Sequence, residues 1–212
     1  AFCDFLSSSN YDESKPGTTI GKNGVGIKGT NCWSTEFKFV VANALSHRKR
    51  EQTCRSNLTI VGSPKVTRYT NKTSFVEVAF VLDFDRMKAF APSSWPAVQR
   101  GFFGMVTRQV YDLAACCTHV KVKYNDGSHV RGKGNGFETI RRGLLPYLQK
   151  FQKPVYACAN KSNATVCVME AVEGIVSPNF VNKALMRAGG THVNEVRKHF
   201  FASLGIPKEF KD

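Results

Sequence analysis

The run Ile20-Gly21-Lys22-Asn23-Gly24-Val25-Gly26-Ile27-Lys28-Gly29-Thr30-Asn31 constrains this chain more than any other stretch. Gly21, Gly24 and Gly26 stand three and two residues apart, so the backbone can approach a ligand where side chains would block it. A polar run, Ser7-Ser8-Ser9-Asn10, precedes the loop, and an amphipathic segment, Ile27 to Trp33, follows it. A glycine loop that feeds a helix presents N–H groups lacking intrahelical acceptors, and these suit the oxygens of a phosphate. Taken alone, such a loop is also compatible with an ordinary turn. In that case Ser7 to Asn10 form a loop or cap, and Lys22 and Lys28 are solvated.

The rest of the chain alternates strand and helix patterns. A helix is expected over about Val25 to Cys32 and a strand over Glu36 to Ala42. His47 to Arg50 read as a charged turn, with strands over residues 51–60 and 65–70. Ser74 to Leu82, rich in β-branched and aromatic residues, is the strongest strand pattern. Asp83 to Met87 turn into a short helix, and the Asp83 and Asp85 carboxylates, two apart after a strand, are open to a cap or a metal-pair reading. Residues 97–116 are helical, with Val98, Phe102, Met105, Val106, Val110 and Leu113 on related faces. Val120 to Tyr124 form a strand leading into the turn Asn125-Asp126-Gly127. A basic, glycine-rich loop runs to Gly136, and a helix pattern over residues 137–151 is broken at Pro146. Strands over Val155 to Ala159, Ala164 to Glu173 and Phe180 to Leu185 precede a helix from about Val193 to Leu204. This order means an α+β fold, with the composition shift near residues 127–140 as the candidate domain boundary.

Charge narrows the partner. A formal net charge of +14 on 212 residues favours a polyanion by long-range attraction. No run approaches the roughly 18 apolar residues of a membrane span, so no membrane partner is expected. The seven cysteines contain no C-x-x-C pair, which argues against structural zinc and for buried free thiols in a reducing compartment. The sequons at Asn57, Asn71, Asn160 and Asn163 are read as unused. His192, after a glycine turn, is expected to be a structural hydrogen-bond partner, and His119 and His129 are given no role.

Ser8-Ser9-Asn10-Tyr11-Asp12, Gly21-Lys22-Asn23-Gly24-Val25-Gly26-Ile27-Lys28 and Ser34-Thr35-Glu36-Phe37 together resemble the nucleotide-lid region of type II DNA topoisomerases. Gln109 to Ala114 and Val120 to Gly127 resemble that family's tyrosine-aspartate helix and the strand-turn after it. Phe180-Val181-Asn182 and Gly189-Gly190-Thr191-His192-Val193 resemble elements of its transducer domain. The similarity keeps its order from Phe5 to about Val196. It begins in mid-domain, and with Ala1 in place of Met it implies an excerpt of a larger polypeptide.

The resemblance implies the later part of a GHKL-type ATPase sandwich over residues 1–140, including the ATP lid. It implies the start of an S5-like transducer over residues 141–212. Ser8, Ser9 and Asn10 would contact the nucleotide's sugar and phosphate side. Gly21, Lys22, Asn23, Gly24, Val25, Gly26, Ile27 and Lys28 would wrap the triphosphate. Where the family places a threonine toward adenine, this chain has Val76, with Thr73 and Ser74 as the nearby hydroxyls. The general-base glutamate, the asparagine that holds Mg2+, and the adenine-reading aspartate have no counterpart after Ala1. These 212 residues are therefore expected not to hydrolyse ATP unaided. The implied partners are double-stranded DNA and a second protomer, with Arg141, Arg142, Lys208 and Lys211 as candidate DNA contacts. An intracellular setting is implied, nuclear for a cellular enzyme or viral for a viral one. The other reading is a basic, non-enzymatic nucleic-acid-binding or viral structural protein in which the glycine loop is only a turn.

Overall fold

The computed structural model describes residue 3 and residues 24–90, 93–125, 137–151, 153–161, 164–170, 178–181, 184–186 and 189–203. The chain divides into two compact units, residues 1–99 and 100–212. The architecture is α+β, as the order of patterns predicts.

In the first unit a short helix, α1 (Gly26–Cys32), leads directly into a long strand, β1 (Ser34–Asn43). Antiparallel neighbours flank β1: β2 (Arg48–Arg55) on one side and β5 (Phe75–Leu82) on the other. The outer edge of β2 is covered at one end by β3 (Ile60–Val61) and at the other by β4 (Lys65–Arg68). Between those two stretches the Gln52 amide donates to the Gly62 carbonyl at 2.9 Å, and the Gly62 N–H donates to the Thr53 carbonyl at 2.9 Å. A Cβ at Gly62 would sit 2.6 Å from the Thr53 carbonyl oxygen, so this approach requires glycine.

Register sorts the side chains into two faces. Phe37 stands opposite Cys54 on β2 and Phe80 on β5, and Phe39 stands opposite Gln52 and Val78. Phe37 and Cys54 are fully buried. Together with Phe39 they form the core against which Ile27 of α1, Val41, Leu58 and Val78 pack. The alternate residues carry charge: Glu36 pairs with Arg55 at 3.1 Å and Lys38 with Glu51 at 2.7 Å. The Glu51 hydrogen bond holds the Lys38 ammonium above its usual range, and the same contact holds the Glu51 carboxyl below its own.

Both turns around β2 differ from expectation. The first covers residues 44–47, where the Asn43 side-chain oxygen accepts from the Leu45 and Ser46 N–H groups and His47 takes φ +52°. Arg48 to Arg50, expected in that turn, therefore open β2. The strand expected over residues 51–60 ends at Arg55, because Ser56, Asn57 and Leu58 are successively left-handed. The N–H groups of Ser56 and Asn57 bond the Thr35 and Ser34 carbonyls, which pulls the chain back toward the start of β1. After β5, Asp83 caps α2 (Phe84–Phe90), its carboxylate accepting the Arg86 N–H at 2.9 Å.

A long helix, α3 (Trp95–Cys116), runs into the second unit. Its predicted apolar face is only partly covered. Val98, Met105 and Leu113 stay exposed, and the helix is buried at Trp95 near its start and at Asp112, Ala114 and Ala115 near its end. Ala114 packs with Val122 and Ile140, which flank a short pairing of β6 (Lys123–Tyr124) with β7 (Glu138–Thr139). The strand expected from Val120 thus pairs only at its last two residues. Of the turn expected at residues 125–127 only Asn125 is described, and the basic loop to Gly136 lies outside the described residues.

Gly143, at φ +98°, donates its N–H to the Ala114 carbonyl and starts α4 (Leu144–Leu148). Pro146 falls inside the first turn of α4, where its missing N–H has no intrahelical acceptor to lose, so it does not break the helix there. A 3-10 turn, Gln149–Phe151, follows. Ala115, Tyr147 and Leu148 form a second core, with Val155, Cys167 and Met169 of the next hairpin packed against it. That hairpin pairs β8 (Val155–Lys161) with β9 (Ala164–Met169) and sets Cys158 opposite Cys167, where the two are disulfide-bonded. This corrects the expectation of free thiols throughout. A nine-residue separation gives no motif, and only the hairpin register brings the two sulfurs together. Residues 180–185, expected as one strand, hold two short ones, β10 (Phe180–Val181) and β11 (Ala184–Leu185), which pair with each other. The last described element is α5 (Thr191–Ser203).

The Phe37 row predicts where the first unit is weakest. Phe37→Ala should lower the stability of that unit by about 3–5 kcal/mol, the range for emptying a buried phenylalanine site. The check is the shift in urea midpoint of the 212-residue chain. Phe90→Ala, at a side chain 73% exposed, should move it little.

Candidate nucleotide-binding site

Five of the eleven residues expected at a nucleotide fall within the described chain: Gly24, Val25, Gly26, Ile27 and Lys28. Ser8, Ser9, Asn10, Gly21, Lys22 and Asn23 lie outside the described residues, as do the proposed DNA contacts Lys208 and Lys211.

The described part of the loop is built by opposing demands on neighbouring residues. Gly24 takes φ +61°, a left-handed conformation that a β-carbon disfavours. Val25 then occupies the position just before α1. It offers no side-chain cap to the helix, and no acidic residue stands in the first turn. Ile27 points into the sheet core beside Phe37 and Phe39. Lys28 is buried, 2% exposed, and its ammonium donates to the Gly24 carbonyl. That bond ties the entry of the loop to the first turn of the helix, so Lys28 is not a solvated lysine. Its head group is held by the loop rather than left mobile.

The second glycine differs from the first. A Cβ built on Gly26 meets nothing within 4 Å, so packing within the described chain does not call for glycine there. An uncapped helix start, space over Gly26 among the described residues and a buried lysine in the first turn are compatible with the oxygens of a phosphate. Behind the helix, Asn31 and Ser34 are buried, and the Ser34 hydroxyl donates to the Thr30 carbonyl at 2.6 Å. These serve the helix-to-strand junction.

Val76 lies on the face of β5 that also carries Val78 and Phe80, opposite Val41, and is 62% exposed. Of the two hydroxyl residues near it, Ser74 engages its hydroxyl in local structure and Thr73 its backbone carbonyl. Ser74 Oγ accepts the Ala44 N–H at 3.0 Å, and the Thr73 carbonyl accepts the Tyr69 hydroxyl at 2.6 Å. Among the described residues no group of histidine, cysteine or carboxylate side chains could hold a metal ion. His192 bonds Asn179 through Nε2 at 3.0 Å, and its ring lies so close to Gly190 that a Cβ there would clash at 2.7 Å. That is the structural role expected of it. Arg141 and Arg142 are both exposed, just before α4.

No protein-family model matches the chain. Known proteins do. DNA topoisomerase 2 of Invertebrate iridescent virus 6 is 31% identical over 206 residues, covering 96% of this chain and 17% of the viral protein. A probable DNA topoisomerase 2 of Dictyostelium discoideum is 27% identical over 204 residues, covering 96% of this chain and 13% of its own length. Among solved structures, the ATPase region of Saccharomyces cerevisiae topoisomerase II superposes with a TM-score of 0.73 at 26% identity. The chain matches the ATPase and transducer region of type II DNA topoisomerases. The ATPase and transducer domains of DNA topoisomerase II from Balamuthia mandrillaris give a TM-score of 0.75 at 26% identity, covering 96% of this chain and 50% of theirs. The chain therefore spans half of the solved topoisomerase ATPase region, and less than a fifth of the viral and Dictyostelium topoisomerases.

The two described glycines of this loop should separate in experiment. Gly24→Ala should cost about 1–2 kcal/mol through its left-handed backbone. Gly26→Ala should leave stability unchanged or raise it by up to about 1 kcal/mol, because alanine favours the helix and meets open space. Thermal melts of the two variants check the difference, and equal destabilisation would contradict the geometry.

Proposed function

We propose that this chain is the ATP-binding gate segment of a type II DNA topoisomerase, which couples ATP hydrolysis to passage of one DNA duplex through another. The observation that carries the reading is the loop at Gly24 to Lys28: a left-handed glycine, open space over Gly26, and a buried lysine tied back to the loop. It stands in a chain whose similarity to the topoisomerase ATPase region covers 96% of its length. A basic non-enzymatic protein would leave that ordered similarity without a cause.

In this reading residues 1–140 belong to the ATPase domain and residues 141–212 to the transducer. Ser8, Ser9, Asn10 and the loop from Gly21 to Lys28 hold ATP. The nucleotide supplies the phosphoanhydride whose cleavage drives the gate. The chain's own contribution is to orient the phosphates with backbone N–H groups and to set one fixed positive charge beneath them. The base that activates water and the Mg2+ ligand are assigned to residues other than these 212. Two protomers close the gate around duplex DNA, inside a nucleus or at a site of viral replication.

Two measurements test the proposal. In the protein that contains this segment, Gly26→Ala should weaken binding of a non-hydrolysable ATP analogue by about 1–3 kcal/mol, the cost of forcing a methyl group into filled space. Unchanged affinity in a variant of unchanged stability would sink the nucleotide site. Separately, the 212-residue chain should bind two unrelated DNA duplexes equally, with affinity falling steeply as salt rises, because its net charge of +14 acts through counterion release. Charge reversal at Arg141 and Arg142 together should weaken both duplexes alike. A strong preference for one duplex, or indifference to salt, would contradict passive phosphate contact.

A further inference from the structure

The second unit contains a cleft of about 260 Å³ between the C-terminal half of α3 and α4. Tyr111, Glu138, Arg141, Pro146, Tyr147 and Lys150 line it. The volume falls just under the range of about 300–1,000 Å³ typical of pockets that enclose whole small molecules. It suits one unit of a polymer better than a free nucleotide.

The lining has a rigid base and a charged mouth. Tyr147 is buried in the second core, and burial together with a hydrogen bond to the Asp112 carboxylate pushes its phenol up to about 12, so it stays neutral. Arg108 approaches the same carboxylate, its Nε 3.9 Å from Asp112 Oδ2. At the mouth, the Lys150 ammonium lies over the Tyr111 ring, 4.1 Å from its centroid, which holds an otherwise mobile cation in place. Arg141 enters from the loop before α4 and is exposed. No carboxylate among the described residues forms an ion pair with Arg141 or Lys150. Glu138 lines the same cleft, leaving two cations to one anion.

We propose that this cleft seats one phosphodiester of duplex DNA between the Arg141 guanidinium and the Lys150 ammonium. The planar fork of arginine suits two phosphate oxygens, and the lysine adds a point charge anchored on an aromatic face. Glu138 keeps the seat weak, as suits a surface along which DNA must move. Arg142, the next residue in sequence, does not line the cleft and is the built-in control. The seat rests on the DNA-binding reading given above and adds a location to it.

Anisotropy titrations of a labelled duplex against the 212-residue chain test the seat, with thermal melts confirming that each exposed-residue variant stays folded. Arg141→Ala and Lys150→Ala should each weaken binding about ten-fold and lower the log–log salt slope by about 0.9, the signature of one lost phosphate contact. Arg142→Ala should change affinity by less than about two-fold. Glu138→Gln should tighten binding. Arg141→Lys should keep the salt slope while losing part of the affinity, because the charge stays and the fork is gone. Duplex binding by the unaltered chain that survives both alanine substitutions, or that falls equally in Arg142→Ala, overturns the seat and leaves the DNA reading standing. No duplex binding at all overturns both. At matched ionic strength ATP and inorganic pyrophosphate should not compete. Displacement of the duplex by either one, lost in Lys150→Ala, would make a free phosphate compound the occupant and overturn the proposal.

Discussion

The row formed by Cys54, Phe37 and Phe80 ties three strands and one helix into a single unit. Phe37 is fully buried at the centre of the row, and its ring stacks on that of Phe80 with centroids 6.3 Å apart. Ile27 reaches the same cluster from α1. The helix that begins at the glycine loop is thus held by burial of an apolar side chain rather than by its own propensity. Seven residues containing two glycines would not stay helical alone in water. The position of the loop follows from that packing. Lys28, one residue beyond Ile27, completes it by holding the Gly24 carbonyl.

A comparable hub orders the second unit. Ala114 and Ala115 turn their methyl groups toward two different clusters, one with Val122 and Ile140 and one with Tyr147 and Leu148. Small side chains at adjacent helical positions let two separate segments approach the end of α3. The Gly143 N–H on the Ala114 carbonyl then fixes where α4 starts. The cleft between these helices follows from the same arrangement, because the bond that starts α4 also sets Arg141 two residues ahead of it.

Legibility in the sequence followed the range of the interaction that decides each element. β5 and α3 were readable because composition and period act within the segment. The turns around β2 were not. Asn43 and the Ser34 and Thr35 carbonyls decide them through side-chain and cross-strand bonds that no window of residues 47–60 contains. The Cys158–Cys167 bond is similar, since it depends on hairpin register. Pro146 differs from expectation for another reason. A proline breaks a helix interior but is tolerated in a first turn, and the turn's start is set by Gly143 against α3. Of the site, the loop spacing was legible, whereas the buried state of Lys28 depends on the core beneath it.

The two described loop glycines show how one letter can answer two different constraints. At Gly24 the cause lies in the chain: φ +61° is a backbone state that any β-carbon penalises, with or without a ligand. At Gly26 the described residues supply no such cause, since φ is not left-handed and none of them comes within 4 Å of where a methyl group would sit. Helix propensity alone would favour alanine there. A residue that the described part of the fold leaves unconstrained, at the start of a helix with no capping side chain, is open to a constraint from a ligand. A phosphate approaching the backbone would supply it, because a β-carbon would hold the oxygens away from the N–H groups. The fold requires the first glycine, and the nucleotide reading accounts for the second.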